Sequence, residues 1–425
     1  MTRLSRKLSL PFVAIVCAIA HNAQSAAYAE PKSEEKIPRV AAVVTAYYHN
    51  SHADVIVSRL LEGYTLNNKG EFPKLKLVSL YIDQVPANDK GYQLAARHKV
   101  PIFKTVAGAL TLGGDRLAVD GVLLIAEHGK YPKSKTGQTI YPKRRLFSEV
   151  VKVFRQSDQA VPVFVDKHLA DNWIDAKWLY DTAERMKIPL MAGSSLPTLW
   201  RYPANDVRRN AQLSEVVVVS YHSLDSYGFH ALELVQALVE RRRGGETGVK
   251  SVRCVEAGAV WQAGRRGEYD SQLLAAALSR LRKPPLPRGA PIEQLAKQPN
   301  LMAIHYQDGF RVNVLTLNHA VSEWSAAWRY ADSDQIQSTL FWTQESRPYM
   351  HFSYLVKGIE QMLYTRQPAW RAERTLLTSG ILHAAHQSLL NGRRIDTPHL
   401  KIKFKQSWNW QQPPPPPPGR PRQEQ

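Results

Sequence analysis

Between residues 39 and 192, short apolar runs alternate with segments of helical periodicity, and few folds accept that alternation. Residues 39–46, 75–82, 101–103, 119–126, 161–165 and 189–192 are strand-like and apolar at consecutive positions. Between them, 54–64, 91–98, 146–155 and 173–186 repeat apolar residues three and four apart. A strand apolar on both faces has to be covered on both, and helices that follow the strands supply the cover. The expectation is a parallel α/β sheet of six strands spanning residues 39–200.

The texture changes after residue 201. Residues 216–220, 249–261, 301–306, 311–317 and 338–342 read as strands, with 231–241, 271–281 and 373–390 as helices. Strands at hairpin-scale spacing point to a mostly antiparallel sheet, hence a second, α+β domain over 201–405. Asn391-Gly392 is an ordinary stop for the last helix, and residues 406–425, with Pro413 to Pro418, read as a stiff, proline-rich disordered tail. Two domains are what 425 residues lead one to expect.

The first 29 residues read as an export signal. Arg3, Arg6 and Lys7 precede an apolar stretch from 8 to 20, too short to span a bilayer comfortably. Ala27-Tyr28-Ala29 then offers the small-x-small pattern for cleavage before Glu30. Ser5-Arg6-Lys7-Leu8-Ser9-Leu10 is also similar to a twin-arginine signal, but with Lys in second place, so general secretion is the expectation and the twin-arginine route the alternative. The expected product is periplasmic or extracellular, without a stable membrane anchor, joined to its first strand by a polar linker over 30–38. Once the signal and Cys17 are removed, Cys254 is the single thiol, so no internal disulfide is expected. The net charge of +19 admits an anionic partner. No nucleic-acid motif accompanies it, so nucleic acid is not expected.

A dinucleotide-binding (Rossmann-type) sheet places G-x-G-x-x-G between its first strand and first helix, so that backbone amides reach a pyrophosphate. Here that stretch is Thr45-Ala46-Tyr47-Tyr48-His49-Asn50-Ser51-His52-Ala53-Asp54, with no glycine. Tyr47, His49 and Asn50 are the candidate contacts there, and Asp83, ending the second strand, is where a ribose-binding acid belongs.

Further along, Asp120-Gly121-Val122-Leu123-Leu124-Ile125-Ala126-Glu127-His128-Gly129 resembles the fourth strand and ligand-facing loop of the glucose-fructose oxidoreductase and inositol dehydrogenase (Gfo/Idh/MocA) family. Val163-Phe164-Val165-Asp166-Lys167-His168-Leu169-Ala170 is similar to its V-x-x-E-K-P-L-A segment, with Asp for Glu and His for Pro. Ile188 to Gly193 resembles the next family strand. Leu224-Asp225-Ser226-Tyr227-Gly228-Phe229-His230-Ala231-Leu232-Glu233 resembles D-x-G-x-H-x-x-D, and Asp225 aligns only if one residue is inserted. The run from Arg371 to Leu400 resembles the family's closing helix and strand, so the resemblance spans most of the chain beyond the leader.

The resemblance implies an oxidoreductase that acts on a carbohydrate or cyclitol with a tightly held NAD(P). It implies Lys167 beside nicotinamide and substrate, His230 as proton acceptor with Asp225, and Glu127 and His128 against the cofactor. Self-association through the second sheet is the expected mode of assembly. A second reading stands beside it. In that reading a family derivative no longer binds dinucleotide, and it binds a sugar or uses its histidines (His49, His52, His128, His222, His230) for other, metal-assisted chemistry. No compact metal-ligand spacing occurs, so no metal is expected.

Overall fold

The computed structural model describes residues 36–283, 285, 287, 289–343 and 347–405. The expected leader and proline-rich tail lie outside the described residues. Strand β1 (Arg39–Val44) buries Val40 to Val44 without a break, which only a central, doubly covered strand can do. It pairs in parallel with β2 (Lys76–Ile82) on one side and β3 (Gly121–Ile125) on the other. Strands β4 (Val163–Asp166) and β5 (Leu190–Gly193) complete the parallel order β2-β1-β3-β4-β5.

Alternate residues serve opposite faces. Val40, Ala42 and Val44 pack with α1 (His52–Glu62). Ala41 and Val43 pack with α3 (Val106–Thr111), α4 (Lys143–Ser157) and α5 (Trp173–Arg185), while α2 (Gly91–His98) follows β2.

The sixth strand expected at 101–103 is reduced to a bridge. Leu80 pairs with Ile102 through bonds from Leu80 N–H to Pro101 O and from Phe103 N–H to Leu80 O. Pro101 has no N–H to extend a ladder, and Thr105 already caps α3. The sheet therefore has five strands.

The second sheet has the order β13-β8-β9-β10-β7-β11-β12-β6. In chain order its strands are β6 (Trp200–Tyr202), β7 (Leu213–Ser220), β8 (Val249–Glu256), β9 (Asn300–Tyr306), β10 (Arg311–Thr316), β11 (Trp324–Tyr330), β12 (Ile336–Trp342) and β13 (Ile395–Asp396). All neighbours are antiparallel except β7 and β10. The fold is thus a Rossmann-like parallel domain followed by a mostly antiparallel α+β domain. The strand expected over 249–261 stops at Glu256, because Ala257 adopts φ +53° and turns the chain into α7 (Gly258–Arg265). Helix α6 (Phe229–Val239) is buried at every position. It shares one face of this sheet with α11 (Ala372–Asn391), while α7 and α8 (Ser271–Ser279) cover the other.

Helix α10 (His351–Thr365) returns to the first sheet. Leu355, Val356, Ile359 and Met362 pack among β1, β3 and α1, which brings the segment just before it over the start of α1. Among the described residues, no helix is long and apolar enough to cross a membrane.

Gly193 ends β5 with φ +116°, and a Cβ there would lie 2.4 Å from Glu233 Oε2 and 2.8 Å from Thr375 Oγ1. Both the backbone conformation and the close approach demand glycine. Gly193→Ala is expected to cost about 2–4 kcal/mol, strain and overpacking together, measured as a fall in the urea midpoint.

Candidate functional site

In a sheet of this order ligands gather at the carboxyl ends of the strands, where successive crossovers diverge. Helix α1 begins there, and its N-terminus is already occupied by the chain itself. Ser51 caps it, its Oγ accepting from Asp54 N–H. The Asp54 carboxylate, fully buried, accepts from Asn50 N–H, Ser58 Oγ, Lys90 Nζ and Arg347. Burial works against its charge, but Arg347 and Lys90 outweigh that and hold its pKa at about 2. The positive end of a helix favours an anion; here the anion is a side chain.

The rest of the loop is equally full. Tyr47 is buried with its hydroxyl on Ser58, and Lys90 N–H and Gly91 N–H both donate to Tyr47 O. Buried Arg59 ties the next turn of α1 to the far segment through Pro348 O, Tyr349 O and Ser353 Oγ.

Asp83, the expected ribose ligand, receives the hydroxyls of Tyr81 and Tyr131 and the guanidinium of Arg145. Burial alone would raise its pKa, yet Tyr131, Tyr81 and Arg145 together lower it. Tyr131 comes from a loop that follows β3, and Lys130 N–H of the same loop bonds Gln84 Oε1. The acid is intact, and protein groups fill its coordination.

Behind the cleft lies a buried ionic cluster. Glu127 meets Lys143 Nζ at 2.6 Å, Lys167 Nζ at 3.3 Å and His168 Nδ1 at 3.6 Å. Lys143 also donates to Asp166 O and His168 O, using all three of its hydrogens. Burial opposes ionisation of Glu127, but Lys143 and then Lys167 hold its pKa well below the usual range. Burial likewise opposes the charge on Lys167, and Glu127 and Asp166 override it, so this lysine stays an ammonium.

The cleft in front has a volume of about 620 Å³. His52, His128, Lys167, His230 and His351 share its wall with Tyr221, Tyr227 and Trp324. His52 Nδ1 lies 2.6 Å from Asp166 Oδ2, His128 Nδ1 lies 2.9 Å from the Tyr48 hydroxyl, and His230 Nδ1 lies 2.7 Å from Ser194 Oγ. The His52 ring sits 5.2 Å from that of His128 and 6.2 Å from that of His230. Burial, followed by His52 and Lys167, brings the His128 pKa down to about 3. Burial, followed by Lys167 and His52, lowers that of His230 well below the ordinary value. Both rings are therefore neutral.

Tyr227 lies parallel to Trp324, centroids 5.4 Å apart, and Tyr221 is 4.5 Å from the same indole. His128 Nε2, Ser195 Oγ and His351 Nδ1 are buried on this wall without a hydrogen-bond partner among the described residues. Asn50, His128, Lys167 and His222, all lining the cleft, have positive φ, the kind of strain that collects at functional sites.

Of the residues expected from sequence, Lys167, His230, His128 and Asn50 reach the cleft. Glu127 lies behind it. Tyr47 is core, His49 is exposed near Asp54, and Asp83 is engaged elsewhere. Asp225 is not brought to the cleft. Its Oδ2 accepts from Thr139 N–H and Oγ1, because Leu224–Gly228 forms a π-helical turn. Such a turn accommodates one extra residue, and it presents Ser226 and Tyr227 to the cleft instead.

Sequence reasoning missed Asp166, Tyr227, Trp324, His351 and Arg347 as site residues. Only Asp166 carried a signal, as the acid of the segment ending β4. Among the described residues no group of three or more His, Cys, Asp or Glu side chains is placed to hold a metal ion.

No family model matches this sequence, and no curated protein matches it. Solved structures do resemble it. GenD2 from gentamicin A biosynthesis, solved with NAD, is 12% identical with a TM-score of 0.54, over 87% of this chain and 99% of that one. An oxidoreductase from Agrobacterium radiobacter, solved with NAD+, L-tartaric acid and magnesium, is 13% identical with a TM-score of 0.51, over 85% and 98%. Myo-inositol 2-dehydrogenase from Lactobacillus plantarum is 9% identical with a TM-score of 0.51, over 85% and 99%. At these identities the likeness is one of fold, the fold of Gfo/Idh/MocA-type dehydrogenases.

A dinucleotide belongs to two of those structures, and the residues present here do not fit one. Its diphosphate would have to share the start of α1 with the buried Asp54 carboxylate, and its ribose would compete with Tyr131 and Arg145 for Asp83.

Proposed function

We propose that this chain is an exported, divergent member of the Gfo/Idh/MocA family that binds a carbohydrate or cyclitol in its histidine-rich cleft and no longer holds NAD(P). One observation carries the reading: the buried Asp54 carboxylate, clamped by Lys90 and Arg347 at the start of α1. Two further phosphate charges there would meet a negative group rather than free amides. The oxidoreductase expected from the resemblance needs that place for its cofactor. Export, read from the leader, points the same way, since free nicotinamide nucleotides are scarce outside the cytoplasm.

The substrate half of the cleft remains built. A size near 620 Å³ suits a monosaccharide-sized ligand. Tyr221, Tyr227 and Trp324 give the cleft an aromatic wall for the C–H side of a sugar ring, and Lys167, His128, Ser195 and His230 offer polar contacts for hydroxyls. A second reading, a nicotinamide-dependent dehydrogenase, is favoured by Lys167 and His230 lining one cleft as the resemblance implies.

Calorimetric titration with a panel of cyclitols and aldoses tests the proposal. Saturable binding of at least one, unchanged by added NAD or NADP, is expected. Binding that appears only with nucleotide overturns it. Trp324→Ala is expected to weaken that binding roughly fivefold to tenfold, the loss of about one aromatic contact.

A further inference from the structure

Resting on the reading of the cleft as a carbohydrate or cyclitol site, we infer that it carries a nicotinamide-independent proton-transfer activity, with His52 as the base, Asp166 as its positioning residue, and Lys167 and His230 as donors to a carbonyl oxygen.

The dyad comes first. His52 is the first residue of α1 and Asp166 the last of β4, so two separate elements of the rigid sheet domain present them to each other. The Asp166 side chain is 1% exposed, and at 2.6 Å it accepts a hydrogen from His52 Nδ1. A carboxylate can only accept, so a ring hydrogen is fixed on Nδ1, and whenever the ring carries one hydrogen its lone pair is on Nε2. That edge is not used by any protein group among the described residues, and His52 is part of the cleft wall. A histidine oriented in this way by a buried acid is a general base.

The tautomer of His230 is fixed in the opposite sense. Ser194 Oγ accepts from Leu196 N–H at 3.0 Å and lies 2.7 Å from His230 Nδ1. The Ser194 hydroxyl is buried, and among the described residues His230 Nδ1 is the one acceptor within reach of its hydrogen, so that hydrogen goes to Nδ1 and the proton of neutral His230 resides on Nε2. His230 is thus a hydrogen-bond donor and not the proton acceptor the resemblance implies. Lys167, kept as an ammonium by Glu127, adds a second donor. The groups facing His52 are His128, His230, Lys167 and His351, with Glu127 behind Lys167; His128, His230 and His351 are all held neutral, by burial first.

One base and two donors lining the same cleft suit enolisation. His52 Nε2 takes the proton from a carbon next to a carbonyl, so that an N–H bond forms and a C–H bond breaks. The freed pair becomes the C=C bond while the carbonyl π pair moves to oxygen, where Lys167 and His230 hold the negative charge. The proton, after exchange with water, returns from His52 to the carbon. Nothing is oxidised overall, and no co-reactant enters. The substrate class is a keto-cyclitol or ketose.

The test incubates the full chain with 2-keto-myo-inositol and, separately, D-fructose in D2O, followed by proton NMR, beside calorimetry with the same two probes. Protein-dependent loss of the proton next to the carbonyl, without added nucleotide, is expected for at least one probe. Asp166→Asn, which turns the His52 ring to the wrong tautomer, is expected to slow it on the order of 10²-fold or more with kcat falling and KM little changed. Nitrogen-15 NMR of the histidines, which needs no substrate, is expected to find His52 protonated on Nδ1 and His230 on Nε2. Either histidine in the other tautomer overturns the inference. Binding without exchange also overturns it and leaves the proposed function standing. Failure to bind any sugar or cyclitol, or exchange that requires NAD(P), takes down both.

Discussion

Asp54→Ala is expected to lower the unfolding free energy by about 3–5 kcal/mol, the range for removing one partner of a buried ion pair. Two cations, Lys90 and Arg347, lose their shared carboxylate, and Asn50 N–H and Ser58 Oγ lose an acceptor. Urea unfolding by tryptophan fluorescence reads the loss. A change under about 1 kcal/mol would mean that the clamp is not formed in solution. The same carboxylate sets a pH dependence. Its pKa in the folded chain, about 2, lies below the unfolded value. Its share of stability is therefore complete above about pH 4 and disappears as pH falls toward 2. The variant should be less acid-sensitive over that window than the parent. It should not gain affinity for NADH, because Tyr131 and Arg145 still occupy Asp83.

Lys143→Met carries the second large effect, again about 3–5 kcal/mol. Methionine keeps the stem and removes the ammonium that serves Glu127, Asp166 O and His168 O. Glu127 is left with Lys167 and His168. The double variant Lys143→Met with Glu127→Gln is expected to lose less than the sum of its singles, since the stranded charge is gone. Strict additivity in that cycle would argue that the pair is not coupled.

Much of the fold was legible because its physics is local. The unbroken burial of 40–44 is written as Val-Ala-Ala-Val-Val, and the helices after β2 and β4 carry plain periodicity. The elements that were missed depend on distant partners. Strand β11 is rich in alanine and tryptophan, and its small residues read as strand only once β7 and β12 flank it. Helix α10 was overlooked, although it is what lays Arg347 across α1.

The site divides in the same way. Lys167 and His230 stand in recognisable segments, and both reach the cleft. The absent glycines were visible in the sequence, but what replaced them was not, since Asp54 and Arg347 are 293 positions apart. The His52 and Asp166 pair spans 114 positions, and neither residue announces the other. Asp225 was misplaced because a one-residue insertion leaves no local mark until the backbone absorbs it as a π turn.

The most direct test of the central claim, that protein groups fill the nucleotide half of the cleft, is an equilibrium titration of the full chain with NADH and NADPH, followed by nicotinamide fluorescence. No saturable binding up to about 1 mM, equivalent to less than about 4 kcal/mol of affinity, is the expected result. Saturable micromolar binding of either nucleotide would contradict it.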